Sequence, residues 1–199
     1  MIFKEISEKI IALKNADFTL RKQLIDSGEL GAGYHQEMEK LHLKNAATLD
    51  AIINKIGYPT IPKVGKDASA AAWLVIQHSI GLPNFMKKCL RLIENQADST
   101  SVPPQHLVFL IDRIAVFEGK PQLYGTQFDW DKNDQMSPQY FESATQVNNR
   151  RKALGLSTIE AQTTLMRLQV EQEQQKAPKD FAERKKRIYA WKKKVGWLK

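Results

Sequence analysis

Along most of the chain, apolar residues recur every three or four positions, the spacing that lines one face of an α-helix. Phe3, Ile6, Ile10, Leu13 and Phe18 mark a first amphipathic helix, broken by the glycines between Gly28 and Gly33. A second helix is expected from about Tyr34 to Ile56, with Met38, Leu41, Asn45, Leu49, Ile52 and Ile56 on one face. Gly57-Tyr58-Pro59 ends it, and a polar loop with Pro62 and Gly65 follows. Asp67 is placed to cap a short, very apolar helix from Ala68 to Ile80, closed by Gly81. Pro83 opens a fourth helix with Phe85, Cys89, Leu92 and Ile93 turned inward. After Pro103-Pro104, a fifth helix spans Gln105 to Glu118, with Leu107, Leu110, Ile111, Ile114 and Phe117 as its core face.

The rhythm then stops. Residues Gly119 to Ser137 combine Gly, Pro, Asp and Asn with Tyr124, Phe128 and Trp130, a composition that suits an irregular loop or a short β-hairpin. A polar helix is expected from Pro138 to Gly155. Ser157 and Glu160 have capping-box spacing for a further helix, which turns Gln/Glu-rich at Gln169–Gln175. Asp180 and Glu183 repeat that spacing before a last helix to about Val195. The expected fold is all-α: a compact multi-helix bundle with one irregular loop and a basic C-terminal helix.

Composition changes this picture in two ways. The chain has 199 residues, is 42% hydrophobic and has one cysteine, which excludes a disulfide scaffold and a Cys-rich zinc module. The N-terminus lacks an apolar signal core, and no stretch approaches the roughly 18 apolar residues of a membrane span, so a cytoplasmic protein is expected. Cys89 reads as a small core residue. The formal net charge is +8. Residues 176–199 hold ten bases and two acids, so the entire excess lies there and the remainder is neutral. On a helix, Phe181, Ile188, Trp191, Val195 and Leu198 form one stripe flanked by those bases. The stripe can dock on the bundle. Alternatively, residues 180–199 bind an anionic surface, nucleic acid or lipid, or an acidic protein.

Several motifs together resemble an uncharacterised bacterial family. They are Ala71-Ala72-Trp73-Leu74-Val75-Ile76-Gln77-His78, Asp112-Arg113-Ile114, Gln122-Leu123-Tyr124-Gly125-Thr126-Gln127, Gly57-Tyr58-Pro59 with Val64-Gly65, and Arg150-Arg151-Lys152-Ala153-Leu154-Gly155-Leu156. The family is a helical domain of unknown function marked by QH and QxYGTQ motifs. The resemblance covers roughly residues 3 to 157, and family members often carry Asp where His42 stands. It implies a small helical domain with a polar site and no established activity. The organisation expected is a helical domain over 1–160 and a C-terminal helical extension over 161–199.

Candidate chemistry centres on Gln77 and His78, two polar residues on the most apolar helix, which must find hydrogen-bond partners if buried. The candidate partners are Asp112, Arg113, Tyr124, Thr126 and Gln127. One reading is a structural network that pins the Gly119–Ser137 loop. The other is a pocket for a small polar or anionic ligand. There His78, Asp112 and Tyr124 are catalytic, and Gln77, Arg113, Gln122, Gly125, Thr126 and Gln127 bind ligand. His78 serves as general acid or base, Asp112 orients its ring, Arg113 pairs an anion and Gly125 lets the backbone approach. His35, Glu39 and His42 share one helix face at i, i+4, i+7, and Glu39-x-x-His42 is half of a di-iron bundle pattern without its second half. With His78 added, a mononuclear N/O site is geometrically conceivable, but the favoured reading assigns no metal and no cofactor. P-loop, GxGxxG, GxSxG, HExxH and CxxC patterns are absent. Two functions remain open: an acid–base enzyme or small-molecule binder around His78, and an interaction module working through the basic helix.

Overall fold

The computed structural model describes residues 2–29, 34–96 and 100–199. Those residues form nine helices and one two-stranded sheet, so the chain is all-α. Gly31 and Gly33 of the expected glycine break lie outside the described residues. The chain divides into two compact units, Met1–Leu107 and Val108–Lys199.

The first unit is built from α1 (Lys4–Asp26), α2 (Gln36–Ile56), α3 (Ile61–Val64), α4 (Lys66–His78), α5 (Pro83–Glu94) and the start of α6 (Pro104–Phe117). Helix α4 is its axis, packed by α1, α2, α3 and α5. Ala68, Ala71 and Ala72 are buried on α4 and let neighbouring backbones approach closely. Ile10, Leu49, Val75, Ile76, Met86 and Ile93 complete the core. Full burial of each such side chain contributes about 1.5–3 kcal/mol. Pro62, expected in a loop, sits in the first turn of the short α3, where a missing N–H costs nothing. Asp67 lies inside the first turn of α4, whose N-cap is Gly65. The helix stops at His78, two residues before the expected Ile80, and Ser79 Oγ donates to the Val75 carbonyl at 2.6 Å. His78 therefore stands at the C-terminal end of the axis helix.

The second unit holds the rest of α6, a hairpin, α7 (Ala144–Ala153), α8 (Ile159–Gln172) and α9 (Phe181–Val195). The hairpin pairs β1 (Phe128–Trp130) with β2 (Met136–Pro138), antiparallel, with Phe128 opposite Pro138. Asp131 Oδ1 accepts from the Asn133 and Gln135 amides and shapes its turn. Pro138 is thus a strand residue, and α7 begins at Ala144 behind the Ser143 cap. Thr158, one residue past the expected Ser157, caps α8 by accepting from the Ala161 amide. Asp180 caps α9 from the Glu183 amide at 2.8 Å.

Within this unit the α9 stripe is half-buried, and Trp197 beyond it is buried. Trp197 stacks on Phe117 and Trp191 tilts against the same ring. Lys192 donates to the Val116 carbonyl at the end of α6 at 2.7 Å, a cation at a helix C-terminus. Arg184 grips Asp129 with both terminal nitrogens, at 2.9 and 3.0 Å. No helix among the described residues is long and apolar enough to cross a membrane.

Candidate functional site

Helix α1 buries Ser7, Ile10, Asp17 and Leu24, a heptad-like row in which one position is a carboxylate. Asp17 is 0% exposed. Two imidazoles from two other helices meet it. His78 Nδ1, at the end of α4, donates to Asp17 Oδ2 at 2.8 Å. His42 Nε2, from the buried face of α2, stands 2.9 Å from the same oxygen but outside hydrogen-bonding geometry. The other oxygen, Oδ1, is buried without a hydrogen-bond partner. On the far side of His42, Tyr34 Oη lies 2.6 Å from Nδ1, and the two rings stack. The His42 and His78 rings are tilted against each other with centroids 5.1 Å apart.

One ligand-capable atom from each of Asp17, His42 and His78 lies within 4.8 Å of the other two. Burial alone would push the Asp17 carboxyl up. The His78 hydrogen bond, the short His42 contact and the charge of both imidazoles outweigh it and hold the group well below the usual carboxylate range. Burial, with Glu39 and Asp17 nearby, pushes the Tyr34 hydroxyl up, so it remains protonated. His42 is almost enclosed, whereas 31% of the His78 side chain reaches solvent. The cluster is therefore a buried anion with one enclosed and one accessible imidazole.

The QxYGTQ residues lie in the second unit and form a different structure. Asp112, 0% exposed on α6, accepts from the Leu123, Tyr124 and Thr126 amides at 2.8, 3.1 and 2.9 Å. Gln122 pairs with Gln127 as a second backbone would: its Oε1 accepts from the Gln127 amide at 2.7 Å and its Nε2 donates to the Gln127 carbonyl at 3.0 Å. Its Nε2 also reaches the Gln139 carbonyl at 2.9 Å. Gln127 Oε1 accepts from Arg113 Nε at 3.0 Å, and Gln127 Nε2 donates to Thr126 Oγ1. Burial lowers the Arg113 guanidinium to about 10. Arg151, buried on α7, donates to the carbonyls of Tyr124, Gly125 and Ser157. Gly125 has φ +62°, and a Cβ there would lie 2.6 Å from Ile159 Cδ1. The loop is thus held from within by a carboxylate, two guanidinium groups and two amide side chains.

The structure groups the candidate residues as follows. Asp112, Arg113, Gln122, Tyr124, Gly125, Thr126 and Gln127 come together around the loop in the second unit. Gln77 is buried on α4 beside His78 in the first. His78 and His42, separate candidates in the sequence, are brought together, while His35 caps α2 by accepting from the Glu37 amide. Asp17 was not singled out, although a carboxylate seven residues after Ile10 on the apolar row was a readable signal. His106, also not singled out, stacks on Trp73 with centroids 4.5 Å apart and is lowered by burial to about 4. Cys89 is buried, and burial pushes its thiol up to about 12, as suits a packing residue.

Residues 4–171 match the model of a protein family described as a family of unknown function (DUF6624). Neither a search of the curated proteins nor one of the solved structures finds a match.

Proposed function

The chain belongs to this family of unknown function, and we propose that it is an enzyme whose reactive centre is the Asp17–His42–His78 cluster of the first unit. One observation carries the reading: a fully buried carboxylate contacts two imidazoles from two other helices, one of which opens to solvent. A buried charge costs several kcal/mol to desolvate, and apolar packing would stabilise the bundle at least as well. An ionised aspartate that receives His78 Nδ1–H fixes the ring and leaves Nε2 as the nitrogen that meets a substrate. The chemistry that follows is proton transfer to or from a small polar substrate or a water beside it. In this reading the Asp112–Gln122–Arg151 cage holds the loop rather than acting on a ligand, because both Asp112 oxygens are occupied by backbone amides.

The test is turnover of a panel of generic ester, phosphoester, amide and hydroxy-acid substrates by wild type and His78→Gln. Loss of a positioned acid–base group lowers kcat by about 10²–10⁴-fold with the fold intact. Equal turnover by the variant refutes the proposal.

A second reading rests on α9. Arg184 and Lys192 turn inward, but Lys185, Lys186, Arg187, Lys193 and Lys194 remain exposed. That outer face suits a polyanion. Retention on heparin that falls steeply between about 50 and 200 mM salt supports it. Elution at the lowest salt refutes it.

A further inference from the structure

We propose that Asp17 Oδ2, His42 Nε2 and His78 Nδ1 form a mononuclear site for a divalent transition cation such as Zn²⁺ or Co²⁺. The inference rests on the reading that this cluster is the reactive centre and names what it binds. Four observations lead to it. Three helices each contribute one ligand-capable atom, and the three atoms lie within 4.8 Å of one another. The set is two imidazoles and a carboxylate, which suits borderline cations and not calcium or magnesium. His42 Nε2 and Asp17 Oδ1 are buried without a hydrogen bond, although an imidazole–carboxylate pair only 2.9 Å apart could easily have aligned for one. Finally, Tyr34 holds the other nitrogen of His42, the arrangement that fixes the ring of a metal-bound histidine.

The distances fit. Bonds of about 2.0–2.2 Å place neighbouring ligand atoms about 3.0–3.5 Å apart. The two contacts to Asp17 are already 2.8 and 2.9 Å, and the widest separation, within 4.8 Å, needs to close by at most about 1.3–1.8 Å. Cation binding at His78 Nδ1 displaces the proton that this nitrogen now gives to Asp17, and the ring takes up its proton on Nε2 instead, so the ligating imidazole is neutral. Three protein ligands leave a position open for water or a substrate oxygen. A water bound there is the acidic group of the loaded site.

Full-length protein stripped with a chelator is titrated with Co²⁺, followed by visible absorption, and with Zn²⁺, followed by calorimetry and Tm. One cation is expected per chain, with a rise in Tm. His42→Gln and His78→Gln each weaken binding by about tenfold or more. His35→Asn, which alters a histidine on α2 outside the cluster and keeps a capping side chain, leaves binding unchanged. X-ray absorption of the Zn²⁺-loaded wild type, which requires no variant to fold, shows two imidazole nitrogens and one carboxylate oxygen. No stoichiometric binding by about 100 μM cation overturns the inference. So does binding that survives both cluster variants, that His35→Asn abolishes, or that shows a different ligand set. If His78→Gln loses turnover in chelator-stripped protein that binds no cation, the metal site falls and the proton-transfer centre stands. If the cation binds and His78→Gln turns over like wild type, the metal site stands and the enzyme reading falls.

Discussion

Asp112→Asn offers the clearest perturbation of the second unit. The substitution keeps the shape of the side chain and removes its charge. In the native chain both carboxylate oxygens accept: Oδ1 from the Leu123 and Tyr124 amides, Oδ2 from the Thr126 amide and more weakly from Tyr124. An asparagine has one accepting oxygen, so its NH₂ must face at least one backbone N–H. Hydrogen bonds to a charged acceptor contribute about 1.5–3 kcal/mol each. Retaining one face and losing the other, with a buried donor left unmatched, gives a net loss of about 3 kcal/mol. Arg151 adds to this, since the Asp112 carboxylate, ahead of Glu160, favours the charge of its buried guanidinium. Urea unfolding followed by far-UV circular dichroism is the assay, and the midpoint is expected to fall by about 1–2 M. Asp112→Ala is expected to cost more, because all three amides then lose their acceptor. A cost under about 1 kcal/mol for Asp112→Asn refutes the idea that this carboxylate holds the loop.

Three further outcomes are expected. Gly125→Ala costs about 2 kcal/mol from positive φ and the 2.6 Å approach to Ile159 Cδ1, and adding Ile159→Val, which removes that atom, restores only the steric part in a urea-unfolding double-mutant cycle. His106 has a folded-state value of about 4 against 6.5 in the open chain, so its contribution to stability is complete above pH 6.5 and is lost as pH falls toward 4. With solvent screening at its exposed edge, the loss is about 1–2 kcal/mol, read as a pH-dependent gap in urea midpoint that His106→Phe removes. Trp197→Ala costs about 3 kcal/mol by urea unfolding because the buried ring loses its stack on Phe117, and a deletion of residues 176–199 exposes that surface and lowers Tm.

Local chemistry was legible in the sequence wherever it decided the outcome alone. Pro83 opens α5 and Asp180 caps α9, as their own side chains dictate. The hairpin, one of two readings of the Gly119–Ser137 segment, is present and runs one residue past it, to Pro138. The expectations that shifted involve residues with two uses. Pro62 suits a helix start as well as a loop, and Pro138 suits a strand end as well as a helix start. Ser157 and Thr158 are equivalent caps by type, and it is Thr158 that caps α8. The site was half legible. His42 and His78 stood out by type, but Asp17 lies 25 and 61 positions away from them, and only the α1–α2 and α1–α4 packing joins the three. Its signal was negative: a carboxylate on a row that otherwise buries apolar residues and one serine.

The assignment of chemistry to the first unit is tested most directly by comparing His78→Gln with Asp112→Asn on any substrate the wild type turns over. At a urea-free temperature where both variants are folded, His78→Gln is expected to lose kcat by about 100-fold or more while Asp112→Asn keeps wild-type kcat. Loss of kcat in folded Asp112→Asn, with His78→Gln unimpaired, contradicts that assignment and returns the reactive centre to the QxYGTQ loop.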